Sequence, residues 1–324
     1  MGDRFGAEVG GGYSIGERSQ EGYAALTLIG GELEASFSPA VGMVGCSLRH
    51  RGEEMLGTRH GLAAYAAAGK TMGIPLLHPW ANRLGGTSFA LAGRSISLDP
   101  RSSRVHPDEN GLPIHGLLAG DPGWRVERHE AGVDGAHLTA AYRFADPRLL
   151  EMFPFPHTIG IEARLAAGAL TISTTVEANA GSPVPISFGF HPYLRLPGLE
   201  CPDWEIEVPV RERVVLDGRG LPTGERRSGG VAAGRLGART FDDAFAAPPD
   251  GDPFVLRGGG WRVEVALGTG YPFTQLFAPP DDAVVCFEPM TAPTNALATG
   301  GRELTIVEPG ASYRAPFTIT IRDG

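Results

Sequence analysis

Short runs of alternating apolar and polar residues, each ending at a glycine-bearing turn, fill this 324-residue chain and leave little room for helix. The stretch Tyr23-Ala-Ala-Leu-Thr-Leu-Ile-Gly-Gly-Glu-Leu-Glu-Ala-Ser-Phe37 is two such runs joined at Gly30-Gly31, a hairpin signature. The same shape recurs around Val133-Asp134-Gly135, around Ala167-Gly168 and around Gly258-Gly259-Gly260, after which Trp261-Arg-Val-Glu-Val265 alternates again. Tyr313 to Ile321 alternates too and is expected to close a sheet. Only Thr58 to Ala68 reads as helical. A strand–helix–strand rhythm is missing, which argues against a doubly wound nucleotide fold. Gly218 to Gly237 is linker-like in composition, but strand patterns flank it closely and it reads as a long loop. The expected architecture is all-β, one domain over residues 1–324, with antiparallel strands packed as sandwiched sheets.

Composition supports this. Gly (47) and Pro (27) make up nearly a quarter of a chain that is still 42% hydrophobic, so they mark tight turns and not disorder. A net charge of −9 would repel a nucleic-acid backbone and excludes that class of partner. Lys70 is the only lysine, a bias toward arginine that carries no function by itself. Cys46, Cys201 and Cys286 are odd in number, have no CxxC spacing and lie in or beside apolar stretches, so buried reduced thiols are expected. Met1-Gly2-Asp3-Arg4-Phe5 lacks the apolar core of a signal peptide, and no run of ~18 apolar residues occurs. A cytoplasmic protein with no membrane partner is the expectation.

Two apparent motifs fail. Gly69-Lys70-Thr71 ends like a phosphate-binding loop, but Ala64 stands where the first glycine belongs and the preceding segment is helix-like. His106 and His115 lie nine residues apart without HExxH or a His–Cys cluster, so no metal is expected.

Three strings place acid–base side chains beside rigid turn residues: Pro113-Ile-His115-Gly116, Phe190-His191-Pro192-Tyr193 and Cys286-Phe-Glu288-Pro289. Alternation through Ile186-Ser-Phe-Gly-Phe190 leads to His191, and Pro192 then removes a ladder donor and leaves the imidazole at a strand end. It is either a core histidine or a group facing a cleft. Ala283-Val-Val-Cys-Phe287 is an apolar strand with Glu288 at its end, either a surface terminus or a poised base. Asn82 and Arg83 follow an apolar, Pro-interrupted segment, and the guanidinium fork suits vicinal hydroxyls or a carboxylate, or covers a sheet edge. His78 reads as structural. In Phe241-Asp242-Asp243-Ala244-Phe245, either acid could accept from sugar hydroxyls, or the pair marks a turn.

The order of Asn82-Arg83, His115-Gly116, His191-Pro192-Tyr193, Asp242-Asp243-Ala244-Phe245 and Glu288 resembles that of the aldose 1-epimerase (mutarotase) family. The resemblance runs from Gly30 to the closing strands. Its most specific marks are Gly73-Ile-Pro-Leu-Leu-His-Pro-Trp-Ala-Asn-Arg83 and Gly189-Phe-His-Pro-Tyr193. It implies a β-supersandwich fold and cofactor-free interconversion of sugar anomers. His191 then matches the general acid and Glu288 the general base, while Asn82, Arg83, His115 and Asp242 match substrate-binding positions. Leu194-Arg195 stands where galactose mutarotases commonly carry Phe-Asn, and Pro-Met-Thr-Ala-Pro-Thr-Asn295 after Glu288 resembles a divergent bacterial branch.

The resemblance predicts a small monosaccharide as partner, bound by a monomer or homodimer. Ring opening removes a proton from the C1 hydroxyl and gives one to the ring oxygen, and one carboxylate and one imidazole suffice. With ordinary values of about 4.3 and 6.5, Glu288 is expected ionised and His191 partly protonated. A free hexose is the expected substrate, with a hexose 6-phosphate as the alternative should Arg195 turn into the cleft. A non-catalytic sugar-binding protein would need no acid–base pair, and a glycoside hydrolase using Glu288 and Asp242 would leave the two histidines idle.

Overall fold

The computed structural model describes residues 4–5 and 12–324, so the Met1-Gly2-Asp3 part of the N-terminal reading lies outside the described residues. Strand accounts for 51% and helix for 6%. Every pairing within the three large sheets is antiparallel.

The hairpins form where the turn chemistry places them. Ala167 and Gly168 (φ 51° and 73°) join His157–Ala166 to Ala169–Ala178, and Gly259 and Gly260 (φ 58° and 82°) join Phe254–Gly258 to Trp261–Leu267. Two successive positive φ angles give the twist that antiparallel strands need. Val133-Asp134 turns between Trp124–Gly132 and Gly135–Phe144. In the first hairpin Gly30 pairs with Leu33, so the turn is Gly31-Glu32, one residue later than the composition suggests.

Six strands in chain order, from Arg4–Phe5 to Glu53–Glu54, make one sheet. Tyr13–Gln20 and Tyr23–Gly30 of that sheet pack on Trp124–Gly132 and Gly135–Phe144, which begin a nine-stranded sheet. Alternating burial along His157–Ala166 shows one face of the nine-stranded sheet turned to a core that runs from Leu28 to Ile321. The final strand, Ser312–Asp323, does not close this sheet. It lies inside it, between Ala169–Ala178 and Trp261–Leu267, because it alternates over twelve residues and can pair on both edges.

A seven-stranded sheet carries Asp242 and Glu288, and His191 directly follows one of its strands. Its order is Pro222–Ser228, Glu212–Leu216, Phe241–Ala246, Phe273–Ala278, Cys286–Met290, Gly189–Phe190 and Leu76–Leu77. Gly218 to Gly237 is therefore not a plain loop, since it contains the edge strands Pro222–Ser228 and Gly234–Arg235. Pro222-Thr-Gly-Glu-Arg-Arg-Ser228 is mostly solvent-facing and so has no hydrophobic alternation to reveal it.

The helix spans Leu62–Ala68 and not Thr58–Ala68, because Gly61 (φ 86°) cannot join it; Gly69 (φ 63°) caps its end. The short helices Pro147–Met152 and Ala296–Thr299 are too brief for a helical period to show. Cys46, Cys201 and Cys286 are unpaired; Cys201 is only half-buried, contrary to expectation. Among the described residues no helix is long and apolar enough to cross a membrane.

Candidate active site

Glu288 lies in the middle of Cys286–Met290 and not at its end, and the strand continues through Pro289. On the side of Gly189–Phe190 the ladder has only the pair Gly189↔Met290, so the missing proline donor costs little there. A Cβ at Gly189 would lie 2.5 Å from the Pro289 carbonyl, so only glycine lets these strands close up and bring His191 beside Glu288. His191 follows directly on Gly189–Phe190, at a strand end as the sequence predicts.

The other residues arrive on loops. Arg83 bridges antiparallel to Ile114, His78 bridges parallel to Gly116, and His115 N–H donates to the Asn82 carbonyl at 3.0 Å. Asn82 (φ 56°) and His115 (φ 63°) both take left-handed backbone, which side-chain-bearing residues adopt at a cost. A Cβ at Gly116 would sit 2.1 Å from the His78 carbonyl oxygen, which explains the glycine after His115. His78 is buried and structural. His157 Nδ1–H donates to the Phe155 carbonyl (2.6 Å), so its Nε2 accepts from His78 Nε2–H at 2.8 Å.

His191 Nε2 lies 3.2 Å from Glu288 Oε1, with both side chains almost wholly buried. Tyr193 Oη is 3.3 Å from the same nitrogen, its ring is stacked on His191 at 4.2 Å, and the His115 ring centre is 5.5 Å away. Arg83 Nε donates to Asp108 (2.7 Å), Nη1 to Asn82 Oδ1 (3.2 Å), and Nη2 to Glu109 (3.2 Å) and Asp242 (3.3 Å). Asp242 sits in a strand, not a turn, and accepts from Gln275 Nε2 at 2.6 Å. Asp243 instead pairs with Arg213 at 2.8 Å.

The structure therefore gathers His191, Glu288, Asp242, Arg83, Asn82 and His115 in one place. Four buried atoms within this cluster have no hydrogen-bond partner among the described residues: His191 Nδ1, His115 Nδ1, Glu288 Oε2 and Gln275 Oε1. Buried polar atoms are normally paired, so such a concentration suits a ligand rich in hydroxyls.

Burial, and then the nearby Asp242 charge, hold the Glu288 carboxyl well above the usual carboxylate range, with Arg83 partly offsetting them. Burial, followed by His115 and Arg59, pushes His191 well below its ordinary value. His115 is pushed down to about 3, chiefly by burial and next by Arg83. Burial thus works against the charged forms expected for Glu288 and His191, with Asp242 acting in the same direction on Glu288 and with His115 and Arg59 doing so on His191. A neutral carboxyl donating to a neutral imidazole holds as many protons as the carboxylate–imidazolium pair. One proton crossing 3.2 Å interconverts them.

Several residues of this cluster carried no role in the sequence reading: Gln275, Tyr193, Arg59, Asp108 and Glu109. Gln275 had a visible signal, an amide beside Thr274 in a strand segment otherwise made of Phe273, Leu276 and Phe277. Asp108 and Glu109 stood in a polar loop like any other. Arg195, the phosphate candidate, is solvent-exposed.

The family model described as aldose 1-epimerase matches residues 46–320. The chain belongs to the aldose 1-epimerase family. Its fold is that of the galactose mutarotase-like solved structures. A galactose mutarotase-like protein from Clostridium acetobutylicum superposes with a TM-score of 0.83 at 18% identity, covering 96% of this chain and 98% of the other. A protein from Synechocystis sp. PCC 6803 gives 0.76 at 22% identity, covering 95% and 98%. Galactose 1-epimerase from Lactobacillus acidophilus gives 0.75 at 13% identity, covering 96% and 99%. No curated protein matches the chain in sequence. At these identities the solved structures speak for the fold of this aldose 1-epimerase family member, and the chemistry rests on its own side chains.

Proposed function

We propose that the protein interconverts the α and β anomers of an aldohexose by opening and reclosing the pyranose ring. The observation that carries this is the buried 3.2 Å contact between His191 Nε2 and Glu288 Oε1, among polar atoms that the protein itself leaves unpartnered. In the reactive form Glu288 is the carboxylate and His191 the imidazolium. Glu288 takes the proton from the C1 hydroxyl while His191 gives one to the ring oxygen. The C1–O5 bond breaks and an open-chain aldehyde results. Rotation about C1–C2 presents the other carbonyl face. The ring hydroxyl then attacks C1, His191 recovers its proton, and Glu288 returns its proton to the new C1 hydroxyl. Protons and electron pairs balance, and no external redox partner enters.

The raised Glu288 makes a stronger base than an ordinary carboxylate, and the lowered His191 makes a stronger acid, so each proton transfer is better matched to its partner. Arg83, Asn82 and Asp242 orient hydroxyls beside Glu288, and His115 stays neutral against the ring oxygen side. Pure sugar binding would not require a carboxylate and an imidazole buried against each other at desolvation cost. The test is anomer exchange followed by NMR on freshly dissolved α-glucose, α-galactose and glucose 6-phosphate. Exchange no faster than in buffer alone would defeat the proposal.

A further inference from the structure

Next to the acid–base pair lies a cavity of about 480 Å³ whose walls include Arg59, His60, Lys70, Thr71, His106 and His115. No carboxylate is among the described residues that line it. That is a local reversal of sign in a chain of net charge −9, and it contrasts with the Arg83 side of the site, where Asp108, Glu109 and Asp242 converge.

The cavity meets the catalytic corner at His115, which belongs to both. Thr71 Oγ1 lies 2.7 Å from Tyr193 Oη, Arg59 Nη1 donates to the same oxygen at 3.1 Å, and that oxygen is 3.3 Å from His191 Nε2. Arg59 is held in place by Asp282 at 2.8 Å and by the Tyr193 ring, 4.8 Å from its guanidinium centre, so little freedom remains to be lost when it binds a ligand. Lys70 is exposed and has neither an ion pair nor a hydrogen bond among the described residues. The wall opposite is fixed too. Gly69 lets His106 pack so closely that a Cβ there would meet His106 Nε2 at 2.4 Å.

The proposed reaction orients the sugar across these features. The C1 hydroxyl faces Glu288, on the Asp242 and Arg83 side, and the ring oxygen faces His191. The ring oxygen joins C1 to C5, so C5 and its C6 substituent emerge on the imidazole side, toward the cavity. We propose that the substrate is an aldohexose carrying an oxyanion on C6 (phosphate, sulfonate or carboxylate), held there by Lys70 and Arg59. This rests on the anomer-exchange reading. The sequence favoured a neutral hexose because Arg195 was the one visible second cation. Arg195 is solvent-exposed and does not line this cavity, and Lys70 with Arg59 supplies the pair of cations that a dianion needs. The oxyanion also counters Arg59, whose charge depresses both His115 and His191, and so favours the imidazolium acid.

The experiment compares anomer exchange by NMR for glucose, glucose 6-phosphate, 6-deoxy-6-sulfoglucose and glucuronate, at low and high salt, on wild type, Lys70→Ala and Lys70→Arg. At least one C6 anion is expected to exceed glucose in kcat/KM by ~10-fold or more, the scale of one charge-assisted hydrogen bond. That advantage shrinks with salt, falls most of the way to unity in Lys70→Ala and survives in Lys70→Arg. Which anion wins identifies the oxyanion. Glucose equal to or better than all three, or an advantage untouched in Lys70→Ala, overturns the proposal. If no sugar is accelerated, the anomer-exchange reading itself has failed, and calorimetry with glucose 6-phosphate then judges the subsite. A loss of affinity of ~10-fold in Lys70→Ala upholds an oxyanion site, and equal affinity overturns it.

Discussion

Gln275 is the cross-strand partner of Glu288, and its side-chain amide donates to Asp242 Oδ1 at 2.6 Å. It is wholly buried, and its Oε1 has no partner among the described residues. One side chain thus ties an acid of the hydroxyl-binding side to the strand that carries the base. Gln275→Leu keeps the volume and removes both functions. KM should rise by ~10-fold, the scale of one or two hydrogen bonds, while kcat changes less. Steady-state exchange kinetics check this. An unchanged KM with a collapsed Tm would make Gln275 a packing residue only.

Gly116 fixes His115 through steric necessity. Gly116→Ala would drive a Cβ to 2.1 Å from the His78 carbonyl at a φ of 79°, so the loop must move. The expected loss of stability is ~2–4 kcal/mol. Gly22→Ala is the control. Its φ is 85° but nothing lies within 4 Å of the added carbon, and it should cost only ~1 kcal/mol. Urea unfolding of both variants separates the clash from the backbone preference. Equal losses would refute the clash.

Stability should depend on pH in a predictable direction. His115 is lowered to about 3 and His157 to about 4, both mainly by burial, against ~6.5 in the unfolded chain. Below ~6.5 the unfolded chain therefore binds more protons. The stability these histidines contribute is fully present above that pH and is lost as pH falls through about 4 and about 3. Glu288 acts in the opposite sense, because its raised carboxyl favours the folded state below ~4.3 and loses that benefit as pH rises. Thermal melts should show Tm falling from pH 6.5 toward pH 4, and Glu288→Gln should be more stable than wild type near pH 8. A Tm that is flat below pH 6.5 would contradict the burial of neutral histidines.

Much of this was legible in the sequence because turn glycines and alternating runs are local signals. The hairpins at Ala167-Gly168 and Gly259-Gly260 depend on residues that can take positive φ, and those residues were in view. What stayed hidden depends on distant partners. The placement of Ser312–Asp323 inside a sheet follows from pairing with strands about 150 and 50 residues away, which alternation cannot reveal. His191 and Glu288 were identifiable as a pair, but their protonation was not. Reference values describe solvated groups, and only the packed structure shows that both are buried. Lys70 shows the same limit from the other side. As a lone lysine it meant nothing until the fold placed it beside Arg59 and His106.

The central claim is that Glu288 and His191 move the protons of ring opening. The most direct measurement is the anomer exchange rate of Glu288→Gln by NMR on the best substrate found, with circular dichroism and a melt confirming the fold. Glutamine keeps the shape and cannot accept the C1 proton, so kcat should fall by ~10²-fold or more, with His191→Asn behaving alike. A folded Glu288→Gln that exchanges anomers at close to the wild-type rate would contradict the account.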